Sequence, residues 1–374
     1  MKVKVKVGLV KCNTYDSNEL EKALEEAMDL SGGIDVKGKK LLLKPNILSD
    51  SDPIKAISTH PEFVRAVIKY MQKAGAVEIY IGDSPGFQRP GYSGRKSGIR
   101  QVADETGAKW VDFTKGKTTI KTETGKKQKK FKVTSIINDV DMVISIPKIK
   151  THMLMYFTGA VKNLFGLLPG LSKSPYHVSY PDRNNFGEMI LDLLEAVKPA
   201  YSIMDAVIGM EGPGPGNGYP RPVNLIIASK NAVALDIVAS SIVGYDPMDI
   251  PTNKLALKRD LGLDNISDIE VKGLNIEDVI IKDYKLIKSK QFQNIIFNLF
   301  HFRVFEKIQQ KMKPKPYFIE EKCIKCGECI KICASNANWF EEGPTGKFVA
   351  VDYNKCIRCY CCHEICPVDA IEIR

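Results

Sequence analysis

The sequence predicts two units: a large α/β domain with a mixed or largely parallel sheet and helices on both faces, and a small cysteine-rich module after it. Over residues 1–287, apolar stretches with strand periodicity alternate with stretches of helical periodicity, which is typical of such sheets. Nine of the ten cysteines lie in the last 52 residues, and eight of them form two matched runs. A Lys-Pro-Lys-Pro linker at 313–316 separates the two units.

The elements of the large domain follow from periodicity and from helix-start and turn signals. Thr59 and Glu62, with Pro61 between them, predict a helix that begins at Thr59. A Gly- and Lys-rich hairpin is expected around Gly125. Strands are predicted at 2–10, 40–44, 77–81, 109–113, 140–146, 200–205 and 223–229, and helices at 17–30, 59–73, 95–105, 187–197 and 232–243.

A phenylalanine-rich stretch at 288–312 precedes the cysteine-rich module. Its spacing predicts a long amphipathic helix that packs between the two units, with docking to a membrane surface or a partner as the alternative. We therefore expect an α/β domain over 1–287, a bridging helix and linker over 288–316, and the small module over 317–374.

The cysteines of the module form two matched runs, each with the spacing C-x2-C-x2-C-x3-C: Cys323, Cys326, Cys329 and Cys333, then Cys356, Cys359, Cys362 and Cys366. This spacing predicts two [4Fe–4S] clusters in which the fourth cysteine of each run reaches the other cluster. Zinc does not need a third cysteine at this interval. The predicted ligand sets are Cys323, Cys326, Cys329 and Cys366 for cluster 1, and Cys356, Cys359, Cys362 and Cys333 for cluster 2.

Residues 317–374 resemble bacterial-type two-cluster ferredoxins, which implies a small α+β ferredoxin-like fold for the module. Pro367 follows the last cysteine of the second run, whereas Ala334 stands at the matching position of the first. Cys361 is an additional thiol between two predicted ligands. We interpret it as a small packed residue beside the cluster, with exchange for a neighbouring ligand as the alternative.

Composition limits the class of protein. The chain has 374 residues, 44% hydrophobic and 26% charged, and a net charge of +10 at pH 7. It has no apolar run of the roughly 18–20 residues that a membrane helix needs and no secretion signal. With cluster-forming thiols, this predicts a cytoplasmic protein of an anaerobe. The basic body favours an acidic electron carrier or an acidic substrate, and no aromatic-rich motif supports nucleic-acid binding.

The densest polar stretch of the large domain follows the predicted strand at 140–146. It contains three lysines, a histidine and an asparagine that we consider candidate catalytic residues: Lys148, Lys150, His152, Lys162 and Asn163. Cations at the mouth of a sheet hold a carboxylate or a phosphate, and a lysine there can donate a proton or anchor a carbonyl. The alternative is a solvated basic loop.

Three other loops at strand ends carry polar candidates. Asp205 ends the predicted strand 200–205 and Glu211 lies in the loop after it; both are candidate acid–base groups or metal ligands, with pairing to lysines as the alternative. The glycine-rich loop behind them has neither a Gly-Lys-Ser/Thr nor a complete GxGxxG pattern, so no nucleotide cofactor is supported. The candidate substrate-binding residues lie at the ends of two earlier strands: Lys44, Asn46, Asp83 and Ser84.

These stretches resemble the family called domain of unknown function 362 over roughly residues 5–250. The resemblance is strongest from Pro147 to Gly166 and extends to Lys44-Pro45-Asn46, the loop from Asp83 and the loop at 205–212. It implies a shared site built from these polar residues, without implying a reaction. A distant likeness to lactate-racemase-type enzymes implies that Lys and His serve a carboxylate or an organometallic cofactor.

Two functions of different classes are consistent with these patterns. The first is an iron–sulfur oxidoreductase that passes single electrons from two [4Fe–4S] clusters to a small anionic substrate bound by the lysines, exchanging electrons with a partner protein. The second is a non-catalytic electron carrier, or a partner protein that handles clusters or binds a ligand without turning it over.

Overall fold

The computed structural model describes residues 4–49, 51–85, 94–259, 261–287, 314–344 and 346–374. The strands described in the large domain are β1 (Val5–Lys11), β2 (Lys40–Pro45), β3 (Glu78–Ile81), β4 (Lys109–Trp110), β5 (Lys117–Lys121), β6 (Lys130–Thr134), β7 (Met142–Ile146), β8 (Lys148–His152), β9 (Tyr156–Thr158), β10 (Tyr201–Glu211), β11 (Tyr219–Ser229) and β12 (Ile269–Gly273). Its helices are α1 (Ser17–Leu30), α2 (Pro61–Lys73), α3 (Ile99–Thr106), α4 (Ala160–Asn163), α5 (Ser174–Ser179), α6 (Arg183–Val197), α7 (Ala232–Ile242), α8 (Pro251–Ala256) and α9 (Ile276–Val279).

The central sheet is mixed, as predicted, and has the strand order β12-β1-β11-β10-β7-β2-β3-β4. Strands β10, β7, β2, β3 and β4 run parallel to one another. Strand β11 is antiparallel to both of its neighbours, and β8 joins the side of β10 in parallel. Since the parallel strands end at one edge of the sheet, the loops that follow β2, β3 and β7 come together there.

Helices cover both faces of the sheet, and each face has its own hydrophobic core. The apolar residues of α1, α2 and α3 pack on one face, and those of α4, α6 and α7 pack on the other. This explains why β2 and β7 are continuous apolar runs: their side chains are buried on both sides. The predicted hairpin around Gly125 is formed by β5 and β6.

The start of α2 differs from the prediction. The N-cap is His60, whose Nδ1 accepts a hydrogen bond from the Glu62 amide, and Pro61 is the first helical residue. The Thr59 hydroxyl instead donates to the carbonyl of Ile146 and accepts from the amide of Asn46. The prediction of a cap at Thr59 was therefore wrong, because a neighbouring strand takes its hydroxyl.

The small module consists of short elements around the cysteines. They are β13 (Pro316–Phe318), α10 (Glu328–Lys331), β14 (Asn338–Gly343), β15 (Gly346–Val351), α11 (Cys361–Ile365) and β16 (Ile371–Ile373). Strands β13 and β16 pair antiparallel, as do β14 and β15. The predicted helix at 288–312 lies outside the described residues, and among the described helices none is long and apolar enough to cross a membrane.

Candidate functional site

A buried ion pair lies where two parallel strands end. Lys44 at the end of β2 contacts Asp83, just after β3, with 2.9 Å between Nζ and Oδ1, and both side chains are at most 3% exposed. The lysine also donates to the Asn163 side chain at 3.1 Å, and Asp83 accepts from the amide of Ile47. A Cβ on Gly166 would lie 2.1 Å from the Asp83 carboxylate, so glycine there is required by the close packing.

Replacing Asp83 by asparagine is expected to destabilise the fold by about 3–5 kcal/mol, because Lys44 would remain as a buried charge without its partner. The matched control is Glu78→Gln, which breaks a surface pair with Lys109 and should cost less than about 1 kcal/mol. Chemical unfolding followed by circular dichroism measures both changes. Equal losses for the two variants would contradict a buried, tightly coupled pair.

The stretch after β7 is strand β8 rather than a solvated loop. All five of its residues are buried, so the alternative of a solvated basic loop was wrong for Lys148, Lys150 and His152. Polar side chains can be buried here because each finds a partner. The Lys148 ammonium contacts Asp205 at 2.8 Å and donates to the Tyr15 hydroxyl at 2.8 Å.

Asp205 and Glu211 were predicted at a strand-end loop, and this prediction was wrong. Both lie within β10, because the long pairing with β11 extends that strand to Glu211. Asp205 is fully buried and accepts hydrogen bonds from Tyr15 and from the amide of His60. Glu211 accepts from the backbone amide of Lys285. Both carboxylates thus have structural partners, and the structure places neither in the wall of the cavity described below.

Lys150 is held behind the loop after β2. Its ammonium donates to the Asn46 side chain and to the carbonyl of Ile57, both at 2.7 Å. Burial, together with the neighbouring charges of Lys162 and Lys148, lowers the pKa of this ammonium to about 7. Lys150 can therefore gain or lose a proton near neutral pH, as an acid–base group requires.

His152 is a neutral imidazole with a defined tautomer. Its Nδ1 accepts from the amides of Leu154 and Met155, which places the proton on Nε2. Burial and the nearby Lys162 hold its pKa well below the usual value. The Nε2 atom lies 3.5 Å from the carboxylate of Glu364, so the last residue of β8 faces the cysteine-rich module.

A cavity of about 110 Å³ lies between the strand ends and that module. Six of the predicted site residues contribute to its wall: Lys44, Asn46, Asp83, Ser84, Lys162 and Asn163. The opposite wall comes from the module and includes Ile332, Cys361, Glu364 and Ile365. The cavity is thus closed on one side by the helix α11 of the second cysteine run.

The glycine-rich loop after β10 holds the module in this position. The Asn217 side chain donates to the carbonyl of His363 at 2.9 Å, and the His363 ring lies 3.2 Å from the carbonyl of Pro213. A Cβ on Gly216 would lie 2.9 Å from the carbonyl oxygen of Glu364. This close approach of two backbones explains a glycine here without any phosphate ligand.

The cysteines are arranged as two groups that mix the two runs. A small cavity is lined by the four predicted ligands of cluster 1: Cys323, Cys326, Cys329 and Cys366. In the other group, burial raises the pKa of Cys356, and the thiols of Cys359 and of Cys333 from the first run act in the same direction. Backbone amides donate to the sulfurs of Cys333 and Cys366 at 3.2 Å.

These groupings are consistent with cubane clusters. Within the described ranges, no three His, Cys, Asp or Glu side chains converge closely enough to hold one ion. A four-iron cluster is bound by one cysteine per iron, so its ligands stand farther apart. Amide hydrogen bonds to the sulfurs are the contacts that tune such clusters.

The module matches a 4Fe-4S dicluster domain over residues 315–367, so the chain is an iron–sulfur protein with a 4Fe–4S ferredoxin domain. The α/β domain matches a second family model over residues 41–241. The protein belongs to this family, which is described as a domain of unknown function (DUF362).

Relatives include proteins that share most of the chain and others that share the module. The thylakoid-associated protein of Synechocystis sp. is 33% identical over 285 residues, covering 75% of this chain and 87% of that protein. Pyruvate synthase subunit PorD of Methanothermobacter marburgensis is 39% identical over 59 residues, covering 16% of this chain and 64% of that protein. The lactate racemase apoprotein from Thermoanaerobacterium thermosaccharolyticum aligns with a TM-score of 0.40 at 12% identity, over 65% of this chain and 57% of that one.

Among the residues of the cavity wall that were not predicted as site residues, four have titratable side chains: Lys173, His177, Cys361 and Glu364. Lys173 directly precedes α5 and His177 lies within that helix; no local sequence signal indicated either residue. Cys361 and Glu364 lie in the cavity wall because the module packs against the large domain. Local sequence patterns do not predict that contact.

Proposed function

We propose that this protein is an iron–sulfur oxidoreductase that delivers single electrons to a small anionic molecule bound in the cavity between its two units. The observation that carries the proposal is the composition of the cavity wall, with three lysines on one side, Lys44, Lys162 and Lys173, and Cys361 on the other. Cys361 lies between two residues that we assign as cluster ligands, Cys359 and Cys362. The bound anion would therefore lie next to a cluster.

We further propose two [4Fe–4S] clusters, held by the two crossed ligand sets predicted from the cysteine spacing. When bound, such clusters supply electrons one at a time. Cys326 is exposed, whereas Cys362 is buried. The first set thus offers a surface where a partner protein exchanges electrons, and the second set lies on the side of the cavity.

Residues of the α/β domain bind the anion and supply protons to it. Lys162 lies in the cavity wall. Burial lowers the pKa of its ammonium, and the nearby Glu364 and Cys361 of the module oppose that shift. Lys150, with a pKa of about 7, lies behind Asn46 and is our candidate for supplying a proton. The Lys44–Asp83 pair holds the strand ends in place.

The proposed function is tested by reoxidation of the dithionite-reduced protein under anaerobic conditions. Small carboxylates and phosphate esters are added, and the visible absorbance of the clusters is followed. We expect one class of anion to accelerate reoxidation at least tenfold, and Lys162→Met to abolish that acceleration. Lys69→Met is the matched control, because Lys69 pairs with Glu21 on the surface.

Two results would contradict the proposal. In the first, none of the anions changes the rate of reoxidation, which would favour a non-catalytic electron carrier. In the second, Lys162→Met responds to the anion as the wild type does, which would place the reacting molecule outside the cavity.

A further inference from the structure

Two lysines of the cavity wall have no carboxylate partner. Lys173 donates to the backbone carbonyl of Ser84, and Lys162 faces the cavity from α4. Asp83 is within ion-pair distance of Lys44, whereas Glu364 lies 3.5 Å from the neutral His152 ring. Burial lowers the pKa of Lys162, and Glu364 opposes that shift without forming an ion pair with the lysine. In the described part of the chain, no acidic side chain lies within 4 Å of either Lys162 or Lys173.

A third polar group of this wall also lacks a partner. His177 lines the cavity and is 8% exposed, and its Nδ1 has no hydrogen-bonding partner among the described residues. Its ring stacks on Phe186, with the centroids 4.6 Å apart. Burying a polar atom without a partner is unfavourable, so a group left in this state beside a cavity is suited to a ligand.

The size of the cavity limits that ligand. A cavity of about 150 Å³ in another protein accommodates benzene, and this one measures about 110 Å³. It therefore accepts a compact molecule of a few heavy atoms. Two ammonium groups in the wall of so small a space can each donate to an oxygen of one compact, doubly charged ligand.

We infer that the cavity binds a small dianion, of the short dicarboxylate or phosphate type, between the ammonium groups of Lys162 and Lys173, with His177 as a neutral hydrogen-bonding group. The inference rests on the proposed function for the role of the cavity and names the class of anion. Binding itself requires no electrons, so it can be tested separately.

The protonation of Lys173 supports binding of a dianion and predicts how the affinity for that dianion depends on pH. Burial lowers the pKa of Lys173 to about 7, and the positive charges of Lys44 and Lys162 contribute in the same direction, against the opposing effect of Asp83. A bound dianion favours the charged form and raises that pKa. Above pH 7, binding should therefore take up a proton, and affinity should fall by up to about tenfold per pH unit.

The test is isothermal titration calorimetry on the anaerobically purified protein with its clusters. The probes are sulfate, succinate and inorganic phosphate as dianions, and acetate and chloride as monoanions. We expect the dianions to bind at least tenfold more tightly. Sulfate keeps its charge from pH 6.5 to 9, so a decrease in its affinity over this range reports protein groups alone.

Single substitutions show which residues are responsible for the affinity for sulfate and for its dependence on pH. Lys173→Met and Lys162→Met should each weaken sulfate binding at least tenfold, and Lys173→Arg should retain it and lose the pH dependence. Lys69→Met is again the surface control. Iron content and melting temperature are measured for each variant, and the pH dependence of the wild type provides a test that needs no variant.

Absence of sulfate, succinate and phosphate binding, or monoanions that bind as tightly as dianions, would overturn the inference. So would sulfate binding that is independent of pH, or unchanged in both methionine variants. If dianions bind but no anion accelerates reoxidation, the inference stands and the proposed function fails. If monoanions accelerate reoxidation and the dianions do not bind, the proposed function stands and the inference fails.

Discussion

Replacing both Cys333 and Cys356 by alanine should remove one cluster and leave the other, so that iron falls from about eight to about four atoms per chain. The reason is the crossed assignment, in which these cysteines from different runs serve the same cluster. The matched double variant, Cys333→Ala with Cys323→Ala, damages both predicted sets and should lose nearly all iron. Iron analysis and electron paramagnetic resonance of the reduced protein measure the outcome.

The opposite pattern would contradict the assignment. If each run served its own cluster, the Cys333 and Cys323 pair would leave four irons, and the Cys333 and Cys356 pair would leave almost none. Cys361→Ala is the control within the same segment. It should keep about eight irons, because this thiol lies in the cavity wall and belongs to neither predicted set.

Replacing Gly216 by valine should slow anion-dependent reoxidation by at least a hundredfold while leaving both clusters in place. A Cβ at this position would lie 2.9 Å from the Glu364 carbonyl oxygen and 3.4 Å from Leu48, so a valine would push the module away from the cavity. Rates of electron transfer fall steeply with distance, which explains the size of the expected effect. The measurement compares rates by stopped-flow absorbance at equal iron content.

Asn217→Ala provides the graded comparison, because it removes one hydrogen bond to His363 without adding volume. It should slow the reaction by less than tenfold, since one neutral hydrogen bond contributes about 1 kcal/mol. A Gly216→Val protein that reacts at the wild-type rate would show that the contact between module and loop is irrelevant to the reaction.

Local patterns in the sequence predicted the fold class and six of the nineteen residues of the cavity wall. The alternation of strand and helix periodicity was sufficient to predict a mixed sheet, because the spacing of apolar residues in each segment predicts a strand or a helix there. Lys44, Asp83 and Lys162 were predicted because parallel strands end at one edge. The strand assignment failed at β8, where Lys148 and Lys150 are charged residues that ion pairs and carbonyls allow to be buried.

What the sequence could not predict depends on contacts between distant segments. Asp205 was expected at a loop and lies within β10, because the long pairing with β11 extends that strand to Glu211. The role of the loop around Gly216 follows from its contact with Glu364, which lies about 150 residues later. Residue spacing within one segment does not predict which distant segments pack together. Cys361 and Glu364 could therefore not be predicted as site residues from the sequence.

The distance between bound anion and cluster is the central claim, and hyperfine spectroscopy tests it most directly. The protein is reduced with dithionite, frozen with 13C-labelled succinate or with inorganic phosphate, and examined by electron–nuclear double resonance. We expect a resolved 13C or 31P coupling to the reduced cluster in the wild type, and its loss in Lys162→Met. An anion that calorimetry shows to be bound, yet gives no coupling in the wild type, would contradict the account.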